Sequence, residues 1–201
     1  MNKEVASEVV KILKDCEAIF INTKEFFTYS SGIKSPIYCD NRVLISYPKE
    51  RKIIANHLAN LIKEKVKDVD YIAATATGAI AHGAWVADIL NKPLIYILSK
   101  NKTHGRAKMI EGSFKHGSTC VVLEDLISSG GSSIAAVSAA RSHGLDVKGV
   151  FSIFSYELNQ AKQNYESINC PAYSLSGFSA FSGFLSDEEV KVLNEWREAQ
   201  K

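Results

Sequence analysis

What the chain lacks narrows the possibilities before any motif is read. Its four cysteines, Cys16, Cys39, Cys120 and Cys170, form no Cys-x-x-Cys pair and stand in no zinc-like spacing with histidine. They read as buried free thiols, in keeping with a reducing, cytoplasmic setting. The opening MNKEVASEVVKILKDCEAIF interleaves charged and apolar residues and so lacks the unbroken apolar centre of a secretory signal. No later apolar run is long enough to span a bilayer, and no membrane partner is expected. A net charge of +2 gives no support for wholesale nucleic-acid binding, so any basic site must be local. There is no internal repeat, no low-complexity linker, no Walker ending and no Gly-x-Gly-x-x-Gly after a strand.

What is present is ordinary globular composition, 46% hydrophobic and 23% charged over 201 residues, which reads as a single domain spanning 1–201. Val5, Val9, Ile12, Leu13 and Cys16 recur at helical spacing and predict an amphipathic opening helix. Phe26 to Arg42, FFTYSSGIKSPIYCDNR, predicts two short strands about a turn. Pro48 fits the first turn of a helix whose apolar stripe holds Ile53, Ile54, His57, Leu58, Leu61 and Ile62, so His57 is expected to be a packed core histidine. From Tyr71 the pattern becomes short, unalternating apolar runs (YIAATA, LIYILS, TCVVLED, VKGVFSIFSY) separated by helical segments. Such runs suit strands covered on both faces. The expected fold is therefore α/β, a doubly wound, mainly parallel sheet flanked by helices with right-handed crossovers. Gly144 should stop the helix that follows Val121 to Asp125, and Ser186 with Glu189 makes a capping-box pattern for a final helix. His82 falls within a helix and reads as structural.

In such sheets ligands bind beyond the carboxyl ends of the strands. VVLEDLISSGGSS, Val121 to Ser133, places Glu124 and Asp125 at one such end and follows them with small residues. Main-chain amides from Ser128 to Ser132 would converge at a helix N-terminus, where an anion is favoured, and Gly130 and Gly131 allow close approach. Ser132 or Ser133 is expected to cap that helix. Two carboxylates cannot share the phosphate, so they should face hydroxyls or a cation. A sugar phosphate meets both demands.

This arrangement resembles the phosphoribosyl-diphosphate motif of the type I phosphoribosyltransferases. FTYSSGIKSPIYCDNR, ATATGAIAHGAWVAD, SKNKTHGRAKMIEG and VVLEDLISSGGSS together, in this order from about Phe26 to Tyr156, resemble the short bacterial orotate phosphoribosyltransferases. The resemblance implies the type I fold with a small hood over the base site, made by about 1–45 and the C-terminal segment. It implies transfer of ribose 5-phosphate from 5-phospho-α-D-ribosyl 1-diphosphate (PRPP) to orotate, yielding orotidine 5′-monophosphate. Alternatives are a sister enzyme for a purine or uracil, and a non-catalytic PRPP-sensing regulator of the same fold.

By the same resemblance, PRPP would meet Lys100, Lys102 and His104 of a cationic lid, the Thr77 and Gly78 loop on the pyrophosphate side, and the stretch Glu124, Asp125, Leu126, Ile127, Ser128, Ser129, Gly130, Gly131 and Ser132. Lys102, His104 and Asp125 would carry catalysis. Orotate would be met by Ser128, with Lys34, Tyr38 and Arg42 as candidates; Lys34 and Arg42 could equally be surface charges, and Thr77 and Gly78 a plain tight turn. The Lys100 to Lys108 loop would act across the interface of a homodimer. Mg²⁺ would be held through PRPP and water without direct protein ligands. Two residues depart from the family pattern: Leu98 stands where an arginine usually precedes the lid, so Arg106 or Lys108 compensates or diphosphate binding weakens, and Ser129 stands where threonine is common, a smaller change that keeps the loop's small size.

Overall fold

The computed structural model describes residues 2–28, 34–98 and 109–200. Asn2 starts helix α1 (Lys3–Asp15) by accepting hydrogen bonds from the amides of Glu4 and Val5. Four short strands follow, β1 (Ile19–Ile21), β2 (Phe27–Thr28), β3 (Lys34–Ser35) and β4 (Ile37–Cys39), pairing antiparallel as β1 with β4 and β2 with β3. A 3-10 turn over Asn41–Ser46 leads to α2 (Pro48–Lys65), with Pro48 in its first turn. The remaining elements are β5 (Tyr71–Thr75), α3 (Ile80–Leu90), β6 (Leu94–Ile97), β7 (Ile110–Glu111), β8 (Thr119–Ile127), α4 (Gly131–Ser142), β9 (Asp146–Ser155), α5 (Asn159–Ser167), β10 (Ala172–Gly177), the single turn α6 (Phe178–Phe181) and α7 (Asp187–Ala199).

The main sheet has the order β10-β9-β8-β5-β6-β7, parallel except for β7 at one edge. Successive residues of a strand face opposite sides, and both sides are covered. Ile72, Ala74, Val121, Leu123, Phe151 and Ile153 pack with α1, α2 and α3, whereas Ala73, Cys120, Val122 and Val150 pack with α4 and α5. The doubly wound sheet expected from the apolar runs is present. Gly144 ends α4 at φ +81°, letting the Leu145 amide donate to the Ala140 carbonyl. The Ser186 and Glu189 capping box forms in full.

One detail differs from expectation. His57 is half-buried, its Nε2 2.8 Å from a Glu8 carboxylate oxygen on α1; the helical stripe ends in a hydrogen bond at the α1–α2 seam, not in the core. Within 1–45, α1 packs on β10 in the principal core, while β4 and the residues after it reach the carboxyl ends of the central strands. The C-terminal segment is tied to this region: Trp196 Nε1 on α7 donates to the Lys34 carbonyl at 2.9 Å. All four cysteines are free and buried. No described helix is long and apolar enough to cross a membrane.

Candidate active site

The sheet order creates the site. From β5 the chain crosses through α3 to β6 on one side, and from β8 through α4 to β9 on the other, so the crossovers diverge between β5 and β8. A crevice opens where they part, beyond the carboxyl ends of those strands. There lies a cavity of about 1020 Å³ lined by Tyr38, Arg42, Thr77, Gly78, Glu124, Asp125, Leu126, Ser128 and Ser132. Residues singled out from three separate sequence segments thus meet in one place.

The two adjacent acids play different parts. Strand alternation turns Glu124 inward, where it is 6% exposed, and leaves Asp125 half-buried at the cavity. Glu124 Oε1 accepts from the Thr75 hydroxyl at 2.6 Å and from the Asp125 amide at 3.1 Å, while its Oε2 is buried with no hydrogen-bond partner among the described residues. Burial, reinforced by the Asp125 charge, pushes the Glu124 carboxyl up to about 8. It therefore holds a proton at neutral pH. Asp125 is fixed from several sides. Its Oδ1 accepts from the Leu126 amide at 3.0 Å and its carbonyl accepts from Asn41 Nδ2 at 2.7 Å. Asn41 is fully buried, and its carbonyl lies 3.2 Å from His82 Nε2. Gly78 lies so close that a Cβ there would come 2.5 Å from Asp125 Oδ2, so only glycine leaves this carboxylate in place. The Ala76–Thr77 peptide bond just before it is cis.

The raised pKa has a measurable sign. A folded-state pKa above the unfolded one means that the folded form binds the extra proton, so stability falls as pH rises through the window from about 4.5 to about 8. Glu124→Gln mimics the protonated acid and removes this dependence. Its melting temperature relative to the parent protein should climb steadily from pH 5 to pH 8; parallel melting curves across that range would contradict the assignment.

The loop after β8 leads into the uncapped start of α4. Gly130 adopts φ +83°, and α4 begins at Gly131 without a side-chain cap. The expected serine cap does not form, because the helix starts before Ser132 and Ser133, placing both inside its first turn. Ser132 faces the cavity, and Ser133 Oγ donates back to the Gly130 carbonyl at 3.1 Å. The first amides of α4 lack a side-chain acceptor, the condition under which a phosphate binds a helix N-terminus. Ile127, by contrast, is buried with its side chain in the α4 and α5 core. It also lines a second cavity of about 540 Å³ behind the loop.

Just after β4, Arg42 Nε and an NH2 group donate to the two oxygens of Asp40 at 2.7 Å each, an oriented pair that keeps the Asp40 carboxyl below the usual carboxylate range. Tyr38 packs its ring 5.7 Å from that of Phe27. Lys34 is exposed on β3 and is not among the residues lining the cavity. Lys100, Lys102, His104, Arg106 and Lys108 lie outside the described residues. Half-buried Leu98 and Met109 flank that segment and pair through the Leu98 amide and Met109 carbonyl at 2.8 Å.

No protein-family model matches the chain. Curated relatives do. The orotate phosphoribosyltransferase of Bacillus mycoides (strain KBAB4) is 48% identical over 203 aligned residues, covering 98% of this chain and 95% of its own, and that of Bacillus cereus (strain G9842) matches to the same extent. The chain belongs to the orotate phosphoribosyltransferase family. Solved structures share the fold of this orotate phosphoribosyltransferase family member at lower identity. The orotate phosphoribosyltransferase of Aeropyrum pernix superposes with a TM-score of 0.77 at 23% identity, covering 89% of this chain and 99% of its own. UMP synthase of Leishmania donovani gives 0.81 at 24%, covering 98% of this chain and 43% of the larger protein. The Mycobacterium tuberculosis orotate phosphoribosyltransferase in complex with PRPP gives 0.68 at 20%, covering 89% and 99%.

Sequence reasoning missed several residues of this site. Thr28, Cys39, Asp40, Ala76 and Tyr156 also line the cavity, and Asn41 anchors Asp125 from behind. Asp40 and Asn41 sit within the quoted CDNR and could have been flagged as polar residues between an apolar strand and a turn. Tyr156 gave no such signal, since it reads as the last residue of an apolar run.

Proposed function

We propose that the protein transfers the ribose 5-phosphate unit of PRPP to a ring nitrogen of orotate, releasing pyrophosphate and forming orotidine 5′-monophosphate for pyrimidine nucleotide synthesis. One observation supports this reading above the others: a single open carboxylate, Asp125, stands between two separate main-chain cradles, the Thr77–Gly78 loop and the Ser128–Ser132 loop. A ribose with a phosphate at one end and a diphosphate at the other matches that order of charges. The nucleophile is the base's own nitrogen, so no serine or cysteine triad is needed. As the bond from C1 to the diphosphate lengthens, positive charge grows on the sugar and negative charge on the departing oxygens. Asp125 stabilises the former and holds ribose hydroxyls; Lys100, Lys102 and His104 of the lid stabilise the latter and exclude water. Arg42, oriented by Asp40, faces the planar carboxylate of orotate beside Tyr38 and Ser128.

Mg²⁺ fits this donor set. With Glu124 buried and protonated, Asp125 is the open acid of the motif, and among the described residues no group of three His, Cys, Asp or Glu side chains could cage a metal. A hydrated ion held through PRPP oxygens and water is what such a site accommodates. Bound there, it would neutralise charge on the diphosphate. We place the enzyme in the cytoplasm as a homodimer whose lid reaches the partner's site. The deciding assay mixes pure protein with orotate, PRPP and Mg²⁺ and follows the ultraviolet absorbance of the base. Loss of orotate absorbance with no change for uracil or a purine is expected; no change beyond the enzyme-free control would remove the reading.

A further inference from the structure

Behind the phosphate loop, on the side away from the main cavity, runs α5, a polar helix that sequence patterning did not disclose. Two of its neighbouring side chains grip the loop. Asn164 Nδ2 donates to the Ser129 carbonyl at 2.9 Å, and the orientation of its amide is locked because its Oδ1 accepts from Gln160 Nε2 at 2.9 Å. Tyr165, 5% exposed, lies 2.6 Å through its hydroxyl from Ser133 Oγ. Ser133 has one hydroxyl hydrogen, and it goes to the Gly130 carbonyl, so the tyrosine is the donor in that pair. The Tyr165 ring also lies flush under Gly130, 3.1 Å from where a Cβ would sit. Burial pushes the phenol up to about 12, which keeps it a neutral donor.

These contacts fix two successive peptide units. In a trans peptide the carbonyl and the following N–H point in opposite directions. A Ser129 carbonyl drawn towards α5 turns the Gly130 amide the other way, and a Gly130 carbonyl held by the Tyr165–Ser133 relay does the same for the Gly131 amide. The Ile134 amide of α4 also donates to the Gly130 carbonyl at 2.9 Å, so the relay tightens a group the helix already engages, whereas the direction of the Gly130 amide rests on the hold on the Ser129 carbonyl, with no side chain on Gly130 to resist rotation. We propose that Asn164 and Tyr165 are positioning residues that set the Gly130 and Gly131 peptide planes so that their amides meet the terminal phosphate of the ribose substrate. This rests on the reading above that the loop holds that phosphate.

The test titrates ribose 5-phosphate and, separately, pyrophosphate into the intact protein and into Asn164→Ala, Tyr165→Phe and the double variant. Asn164→Ala should raise the ribose 5-phosphate Kd about fivefold, the effect of one ordinary hydrogen bond, and Tyr165→Phe about threefold, since the Ile134 amide still holds the Gly130 carbonyl. The double variant should show roughly the product, because different peptide units are released. Pyrophosphate affinity and the KM for orotate should stay within about twofold, and kcat at saturating PRPP should hold, as expected for binding shared by ground and transition states. An unchanged ribose 5-phosphate Kd in both single variants would overturn the proposal. So would an equal loss for pyrophosphate, which would mark general loosening. If Tyr165→Phe fails to fold, Asn164→Ala decides alone, its side chain being half-buried. If the parent protein itself binds no ribose 5-phosphate, the loop assignment falls and the brace with it; a parent that binds and turns over while the variants match it refutes the brace only.

Discussion

Asp125→Asn should lower kcat by about two orders of magnitude while moving the melting temperature by only a few degrees. The side chain keeps its shape, and an amide oxygen still accepts from the Leu126 amide as Asp125 Oδ1 does. In the proposed reaction, what disappears is a carboxylate facing a sugar that becomes cationic. At an effective permittivity of about 20, a unit charge roughly 5 Å away is worth about 3 kcal/mol, which is about a hundredfold in rate. Glu124→Gln provides the contrast. Since Glu124 is protonated and turned inward, its neutral isostere should retain activity within about tenfold of the parent. Steady-state kinetics of the two variants side by side checks both statements. Equal damage from the two changes would mean that the acids act as an undivided pair, against the geometry seen around Thr75 and Gly78.

If Lys102 acts as proposed, Lys102→Ala should be as severe, on the order of a hundredfold to a thousandfold in kcat, because it would remove a cation from the departing diphosphate. The more telling experiment mixes this variant with Asp125→Asn. If the lid works on the neighbouring subunit, a mixed dimer rebuilds one site holding both an intact Lys102 and an intact Asp125. Random exchange should then restore about a quarter of the parent activity from two nearly inactive samples. A mixture no more active than the sum of its components would show that lid and acid belong to the same subunit.

The central sheet was legible because β5, β6, β8 and β9 are covered on both faces and therefore appear as uninterrupted apolar runs. The acid motif was legible for a chemical reason, as small residues after paired carboxylates are hard to explain by packing. Other elements left fainter traces. β1 is three residues long, and β10 reads AYSLSG, with serines where an edge strand meets Ser152 of β9 through a hydroxyl pair at 2.6 Å. α5, NQAKQNYES, buries only Ala161 and Tyr165, too little for helical periodicity to register. Nor does adjacency in sequence rank Glu124 against Asp125. Alternation along a strand does, once the strand is known to reach past both, and β8 extends to Ile127.

The fastening of α7 bears on how the protein can be handled. Beyond Trp196 and its bond to the Lys34 carbonyl, Arg197 donates to the carbonyls of Tyr156 and Glu157 at 3.0 Å and 2.7 Å and stacks over Phe178. One terminal turn thus staples the early hairpin to the end of β9, where Tyr156 walls the main cavity. A bulky affinity tag or a protease nick there would spare the sheet yet unlatch the pocket, so purification handles belong at the opposite terminus.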